Sequence, residues 1–220
     1  MNAAARDNGR SRLAGLCALL VAVVAYWQAR GVWITLHHRV DRIDYKAGAL
    51  KEALTQTPAE YVAVFDADFL PPADWLRKAL YPYMQPGGEK IGIVQTRWTH
   101  LNDDYSLLTR SQALALDGHF GVEQETCHQH GLFVNLNGTA GLIRRGCLEE
   151  VGNWRGATLI EDMDLSYRAQ LQGWRVFFLN NVTAPAEIPG LMLGFKRQQF
   201  RWAKGSIQFL RLLGGDIRNR

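Results

Sequence analysis

The chain has 220 residues, of which 47% are hydrophobic and 21% charged, and its formal net charge at pH 7 is +4. This length suffices for one sizeable domain or at most two small ones. The apolar content argues against a disordered chain, and the lack of a run of ~20 apolar residues argues against a membrane channel. Three scattered cysteines indicate reduced thiols rather than a disulfide scaffold. The mild positive charge suits phosphates, nucleotides or acidic lipids, but it lacks the density of a dedicated DNA-binding domain.

The N-terminal segment is basic and then apolar, and it is open to three interpretations. Residues 13–26 are apolar and follow three arginines. This pattern is typical of a signal peptide, of a membrane-associated segment, or of a globular helix that ends at Gly31 before a strand over residues 32–36. We favour the globular helix and assign residues 1–30 to an N-terminal apolar helix with an atypical start.

The middle of the chain alternates β-rich runs with helical patterns. Strands or extended segments are predicted over residues 61–65, 91–95, 132–136, 141–144 and 174–179. Helices are predicted over residues 47–54, 106–116 and 161–172. Alternation of this kind predicts an α/β domain with a largely parallel sheet.

The C-terminal region, residues 191–220, mixes apolar and basic residues at helical spacing. A basic amphipathic helix can lie on an anionic membrane surface. It can equally be an ordinary surface helix that turns one apolar stripe toward a core. The pattern alone leaves both interpretations open.

Acidic residues occur at two positions suited to chemistry. Asp66 and Asp68 follow the first predicted strand of the middle region, and open α/β sheets bind ligands beyond the carboxyl ends of their strands. Two such carboxylates can share a hard cation, Mg²⁺ or Mn²⁺, that bridges diphosphate oxygens. Glu161 and Asp162 begin a predicted helix, where they either stabilise its N-terminus or supply a general base.

Basic and aromatic residues add candidate ligand contacts. Lys46 begins a predicted helix and could bind an anion there. Gln198, Arg201 and Trp202 combine a guanidinium that can bind phosphate with an indole that can stack on a sugar. A Cys-x-x-His pattern at residues 127–130 has no second half, so we predict no metal there. Each pattern alone also has a purely structural explanation.

Together, these segments have the order and spacing of the processive, cellulose-synthase-like branch of glycosyltransferase family 2. Five segments resemble motifs of that branch. YKAGAL (45–50) resembles its KAG segment, VFDAD (64–68) its DxD strand end, and LNGTAG (136–141) its acceptor-side loop. IED (160–162) resembles its TED motif, and QQFRW (198–202) its Q(Q/R)xRW motif. The resemblance runs from about residue 27 to residue 209. The loops are most similar to those of the glucomannan (mannan) synthase-like subgroup.

The resemblance implies a GT-A-type (Rossmann-like) fold with a mixed, largely parallel sheet flanked by helices and a C-terminal amphipathic interface helix. Residues 31–190 would be the catalytic core. It further implies an inverting hexosyltransferase that uses UDP-glucose or GDP-mannose, with Mg²⁺ or Mn²⁺, to extend a β-linked polysaccharide. The partners would be the nucleotide-sugar, the polysaccharide acceptor and a membrane surface, with no nucleic acid. The implied location is the inner (plasma) membrane, with the catalytic domain in the cytoplasm.

The resemblance also assigns a role to each matching residue. Asp66 and Asp68 would hold the metal, and Asp162 would be the general base, supported by Glu161. The donor-binding residues would be Lys46, Gln198 and Arg201. The acceptor-binding residues would be Trp202, Asn137, Gly138 and Thr139.

The sequence departs from the family pattern in two places. Ile160 replaces the threonine of the TED motif, and because Asp162 remains we expect only a modest effect. Residues 1–12 show neither the opening strand nor the acidic pair that holds the nucleotide base in the family. We therefore expect an N- and C-terminally truncated piece of a longer enzyme, and a poor catalyst in isolation. The alternatives are a non-processive family member, an inactive remnant that binds nucleotide-sugar or a partner synthase, and a basic membrane-surface or nucleic-acid module.

Overall fold

The computed structural model describes residues 20–218. The chain divides into two compact units, Met1–Arg42 and Ile43–Arg220. No helix within residues 20–218 combines the length and the apolar character needed to cross a membrane. The boundaries that the sequence suggests, after residues 30 and 190, stay predictions.

The described part of the first unit contains one helix, α1, over residues 20–28. The helix ends in a turn at Gly31, whose φ of +78° places it in the left-handed region that suits a glycine C-cap. The strand predicted at 32–36 does not form, and residues 32–39 have no regular secondary structure. A strand needs a hydrogen-bonded neighbour, and the described residues of this unit supply none. Our predictions for residues 1–19 lie outside the described residues.

The second unit is built on a four-stranded sheet. Its strands are β1 (Tyr61–Val64), β2 (Ile91–His100), β3 (Gly141–Arg144) and β4 (Arg175–Ala186). Their spatial order is β1-β3-β2-β4, with β2 and β4 parallel and β3 antiparallel to both of its neighbours. Three of the four strands therefore run in one direction, which confirms the predicted mixed, largely parallel sheet.

Helices flank this sheet. They are α2 (Tyr45–Leu54), α3 (Trp75–Leu80), α4 (Leu107–Gly118), α5 (Glu125–Gln129), α6 (Arg145–Glu150), α7 (Glu161–Leu171) and α8 (Met192–Arg218). A π-helical turn, His119–Gln124, joins α4 to α5, and two short 3₁₀ turns cover Tyr81–Met84 and Gly88–Lys90. Helices α2, α4, α7 and α8 lie where the sequence predicts helices, so the predicted strand–helix alternation is confirmed.

Both faces of the sheet carry a buried core, in agreement with the apolar run at the start of β2. In β2, Ile93 packs into a core with Leu165 of α7, whereas the next residue, Val94, packs into a second core with Trp75 of α3. Successive side chains of a strand point to opposite faces, so one strand contributes to both cores. At the sheet edge, β1 pairs with β3 as far as Val64, and this pairing fixes the position of its carboxyl end.

Helix α8 buries only a narrow stripe. Gly205, Phe209 and Leu213 are buried at a spacing of four residues, as expected for one face of a helix. Large apolar side chains elsewhere on α8, such as Phe200 and Ile207, are exposed. The membrane-surface interpretation of this helix stays a prediction.

The extended segment predicted at 132–136 is not a strand, and glutamine side chains explain why. Buried Gln170 of α7 accepts a hydrogen bond from the Val134 N–H (2.9 Å) and donates one to the Val134 carbonyl (3.0 Å). Gln124 of the π-helical turn likewise accepts a hydrogen bond from the Asn135 N–H (3.1 Å) and donates one to the Asn135 carbonyl (2.9 Å). The amide groups of these glutamines thus take the place of a neighbouring strand.

We predict that Gln170→Leu destabilises the protein by about 2–4 kcal/mol, because it leaves a buried N–H and a buried carbonyl of Val134 without partners. Urea denaturation measures this change in the free energy of unfolding. The matched control is Gln129→Leu, since Gln129 is exposed and its change should stay within about 0.5 kcal/mol. Equal stability of the two variants would contradict the role of the glutamine.

Candidate active site

The carboxyl end of β1 is tied to the loop at residues 137–139. The Asp66 N–H donates to the Thr139 hydroxyl at 2.9 Å. Lys46 of α2 donates to the Asp66 carboxylate at 2.6 Å and to the Gly138 carbonyl at 2.8 Å. The ammonium group of Lys46 therefore bridges the predicted metal-binding segment and the predicted acceptor loop.

The loop also lies against Asp162, in the first turn of α7. Gly138 has a φ of +78°, and a Cβ at this position would lie 2.7 Å from Asp162 Oδ2. Only glycine suits this position, because a side chain would be strained by the backbone and would collide with the carboxylate. The close approach places the loop backbone directly beside the predicted general base.

The environment of Asp162 makes it a candidate proton acceptor. Burial, reinforced by the negative charge of Glu161, raises the pKa of the Asp162 carboxyl to about 7. The Met163 N–H, which donates to Asp162 at 2.9 Å, and the charge of Lys46 oppose this rise in pKa, but burial prevails. A carboxylate with a pKa near the working pH can both take up and release a proton.

Two cavities share a wall that contains Asp162. The first, of about 620 Å³, is here called the carboxylate cavity, and its polar lining includes Lys46, Asp66, Asp68, Glu161, Glu187 and Arg201. The second, of about 510 Å³, is called the α4–α8 cavity, and its lining includes Leu108, Leu116, His119, Asn135, Met163 and Phe195. Besides Asp162, six residues line both cavities, namely Trp98, Leu116, Asn137, Ile160, Gln198 and Trp202.

Helix α8 is held over the cavities by a close contact with the residue that precedes α7. A Cβ on Gly205 would lie 2.6 Å from the Ile160 side chain, so this side chain packs directly against the backbone of α8. The Leu159 N–H donates to the Gln208 side chain at 3.1 Å. Ile160, the departure from the resembled motif, thus packs on α8 and leaves Asp162 in place.

All of the predicted site residues come together at these cavities. The metal-binding, catalytic, donor-binding and supporting candidates line the carboxylate cavity, as do Asn137, Gly138, Thr139 and Trp202. Of the residues predicted to bind the acceptor, Asn137 and Trp202 also line the α4–α8 cavity, whereas Gly138 and Thr139 do not. Their roles in chemistry stay predictions, but their placement around Asp162 agrees with those roles.

The sequence patterns do not predict several residues of the site, among them Trp98, His119 and Gln124. One available signal is Gln95, a polar residue at the end of the apolar run of β2 that is fully buried. Its side chain accepts from the Asn137 N–H at 2.9 Å and donates to loop carbonyls. The other three residues give no signal. Trp98 has the pattern of an ordinary strand residue, and His119 and Gln124 lie five positions apart, which an α-helix does not place on one face.

The exposed carboxylates of Asp66 and Asp68 suit a divalent cation only together with a ligand. Carboxylate oxygens are the ligands that Mg²⁺ and Mn²⁺ prefer. Within residues 20–218, no group of three or more His, Cys, Asp or Glu side chains is arranged to hold a metal. A bound diphosphate, which supplies several oxygens, would complete the coordination, and the carboxylate cavity has room for it.

The chain is similar to known glycosyltransferases over most of its length. A family model described as glycosyltransferase like family 2 matches residues 16–205. Glucomannan 4-beta-mannosyltransferase 2 of Arabidopsis thaliana is 41% identical over 194 residues, which are 87% of this chain and 36% of the relative. Glucomannan 4-beta-mannosyltransferase 1 of Oryza sativa subsp. japonica is 42% identical over 198 residues, 88% of this chain and 38% of the relative. The chain thus spans little more than a third of the length of these relatives, and the predicted resemblance is confirmed.

A solved structure shares the fold. It is the mannosyltransferase PcManGT from Pyrobaculum calidifontis in complex with GDP-Man and Mn²⁺, which is 20% identical with a TM-score of 0.58. The match covers 82% of this chain and 45% of that chain. Together with the family match, it confirms the predicted GT-A-type fold.

We predict that Asp162→Asn stabilises the protein more at pH 8 than at pH 5. Because the folded-state pKa of about 7 lies above the unfolded value of 3.8, folding becomes less favourable as the pH rises through this window. Removing the carboxylate should therefore add about 4 kcal/mol at pH 8 and about 1–2 kcal/mol at pH 5, and thermal unfolding at both pH values measures the difference.

The matched control for this prediction is Asp164→Asn, on the same helix. Asp164 is buried and pairs with Arg168 at 2.8 Å, so its loss leaves a buried guanidinium unpaired. This variant should lose about 3 kcal/mol of stability at both pH values. A lower melting temperature of Asp162→Asn at pH 8 would show that the Asp162 carboxylate does not carry a burial penalty.

Proposed function

Since this chain belongs to glycosyltransferase-like family 2, we propose that it carries the catalytic site of an inverting β-mannosyltransferase. The donor is GDP-mannose, and the acceptor is the end of a growing β-1,4-linked mannan or glucomannan chain. Because the chain covers about a third of its curated relatives, the proposal concerns the site that this part of the enzyme contributes.

One observation carries the proposal, namely the position of Asp162 in a wall common to two unlike cavities. One cavity presents carboxylates, Lys46 and Arg201, which suit a cation and a diphosphate. The other has a mainly apolar lining that includes Leu108, Met163 and Phe195. Trp98 and Trp202 line both cavities and offer ring faces that suit a sugar. A general base at the boundary can contact an acceptor hydroxyl on one side and a donor on the other.

On the donor side, charge complementarity decides which groups bind. A cation between Asp66 and Asp68 would supply positive charge to the departing nucleoside diphosphate. Arg201 is exposed to the cavity and can bind a phosphate through two N–H groups. Lys46 lies 2.6 Å from Asp66 and holds this carboxylate in place while it adds positive charge to the cavity.

On the acceptor side, the half-buried Trp202 offers an apolar face to a sugar ring. Gln198, one turn earlier on α8, lines both cavities, so its amide can bind the donor, as the resemblance implies. The contact between Gly205 and Ile160 fixes the position of α8 at the cavity. Trp202 thus holds the terminal sugar so that its free hydroxyl faces Asp162.

The reaction that fits this geometry is a single in-line displacement. Asp162 takes the proton from the acceptor hydroxyl while the hydroxyl oxygen forms a bond to the anomeric carbon of the donor. The bond from this carbon to the diphosphate breaks on the opposite side, so the configuration at the carbon inverts. A positioned general base contributes roughly 10²–10⁴-fold to such a rate.

The choice of mannose rests on the relatives, which are named glucomannan 4-beta-mannosyltransferases. UDP-glucose, the other donor compatible with the motifs, is therefore the comparison substrate. The inactive-remnant alternative is not favoured, because the carboxylates and α8 residues of the site are assembled around common cavities. Attachment to the inner membrane face is part of the proposal and rests on the basic, partly exposed apolar surface of α8.

We predict that GDP-mannose binds in a Mn²⁺-dependent way and that Asp68→Ala removes this dependence, as measured by calorimetric titration. The control is Asp74→Ala, because Asp74 pairs with Lys78 outside both cavities. Tighter binding of UDP-glucose than of GDP-mannose would contradict the proposed sugar. Failure of both nucleotide-sugars to bind would contradict the donor site.

We further predict that Asp162→Asn lowers the rate of mannose transfer to mannotetraose by roughly 10²–10⁴-fold, with GDP-mannose affinity unchanged. The wild-type rate should rise with pH up to about 7 and then level off, because the base must be ionised. Glu161→Gln removes a charge that raises the pKa of Asp162, so it should move this rise to lower pH. Transfer by Asp162→Asn at the wild-type rate would refute the assignment.

A further inference from the structure

The π-helical turn His119–Gln124 faces the Asn137 side chain with two residues. Gln124 Nε2 lies 2.7 Å from Asn137 Oδ1, and His119 Nε2 lies 3.1 Å from Asn137 Nδ2. On its other side, His119 Nδ1 lies 2.9 Å from the Glu123 carboxylate. The Asn137 side chain is therefore held from two directions, next to Asp162.

A backbone N–H determines the orientation of every group in this network. The Asn135 N–H can only donate, so the Gln124 atom that it contacts at 3.1 Å is the carbonyl oxygen. The other end of the Gln124 amide is then the NH₂ group, which donates to Asn137. The Asn137 atom that accepts is its Oδ1, and its NH₂ group consequently faces His119.

This orientation determines the tautomer of His119. Because the Asn137 NH₂ group donates to Nε2, that nitrogen carries no proton. The proton of the neutral ring is therefore on Nδ1, which donates to the Glu123 carboxylate. Glu123, half-buried His119 and Asn137 thus form one directed chain of hydrogen bonds.

The π-helical turn is what brings His119 and Gln124 to the same face. In an α-helix, residues five positions apart are separated by roughly 140° around the axis, since each residue turns about 100°. The wider π turn, with its bonds between residues five apart, aligns them. Such turns are frequent at functional sites, and this one contributes His119 to the lining of the α4–α8 cavity.

We propose that His119 and Gln124 are positioning residues that hold the Asn137 amide so that its second N–H donates to a hydroxyl of the acceptor sugar. Within residues 20–218, this NH₂ group donates one hydrogen bond, to His119. Asn137 lines both cavities, so the second N–H can reach a bound sugar. The inference rests on the proposed function and names how the acceptor is oriented beside Asp162.

The first test measures the affinity of mannotetraose by calorimetry. His119→Phe keeps a planar aromatic ring but removes the acceptor nitrogen, so the affinity for mannotetraose should fall roughly five- to tenfold. His119→Gln retains an acceptor and should restore affinity to within about twofold of wild type. The affinity for GDP-mannose should not change in either variant. Gln129→Ala, an exposed change on the adjacent helix α5, is the control.

A double-mutant cycle separates positioning from direct contact. If His119 acts through Asn137, the variant with both His119→Phe and Asn137→Ala binds mannotetraose as weakly as Asn137→Ala alone. Additive losses would show that His119 contacts the sugar itself and would overturn the inference. Unchanged affinity of His119→Phe would overturn it as well.

A measurement made without sugar tests the hydrogen-bond network of His119 independently of the proposed function. Nitrogen-15 NMR of the His119 ring at pH 7.5 should show the neutral tautomer with the proton on Nδ1, and Asn137→Ala should disturb the Nε2 resonance. Wild-type protein that shows this tautomer but does not bind mannotetraose would contradict the proposed acceptor and leave the positioning network supported. A proton on Nε2 would overturn the network.

Discussion

The site depends on side-chain amides that satisfy the backbone of residues 134–139. Gln170 from α7, Gln124 from the π-helical turn and Gln95 from β2 each donate to this segment and accept from it. They are 6%, 2% and 0% exposed, so each hydrogen bond is shielded from water. A buried backbone group without a partner costs about 1–3 kcal/mol, and this cost confines the loop to one path.

The confined loop in turn brings the chemistry together. Its Gly138 carbonyl accepts from Lys46, and the same lysine holds Asp66 at the end of β1. The missing side chain of Gly138 leaves room for Asp162, whose burial outweighs the nearby positive charge and raises its pKa to about 7. A displaced loop would lose the contacts that place Asp66 near Asp162, although every residue of the motifs would remain.

Where sequence patterns predict structure well, the reason is local. The apolar runs of the four strands and the periodicity of α4, α7 and α8 depend on neighbours a few residues away. Patterns fail where the partner is distant. The extended run at 132–136 lacks a strand partner because buried glutamines replace it, and β2 and β4 extend beyond their apolar runs because they pair with each other as far as His100 and Ala186. No local rule contains that information.

The sequence by itself determined the family to which this chain belongs. The order of Lys46, the two aspartates after β1, Asp162 and the Gln-Gln-x-Arg-Trp segment indicates a glycosyltransferase family, because several ordered motifs are far more specific than any one of them. Only the tertiary structure decided that Asp162 lies between two cavities, that Ile160 packs on α8, and that His119 faces Asn137. The physical reason is separation along the chain, since the contact of Lys46 with Gly138 joins residues 92 positions apart and exists only once the sheet and its helices have packed.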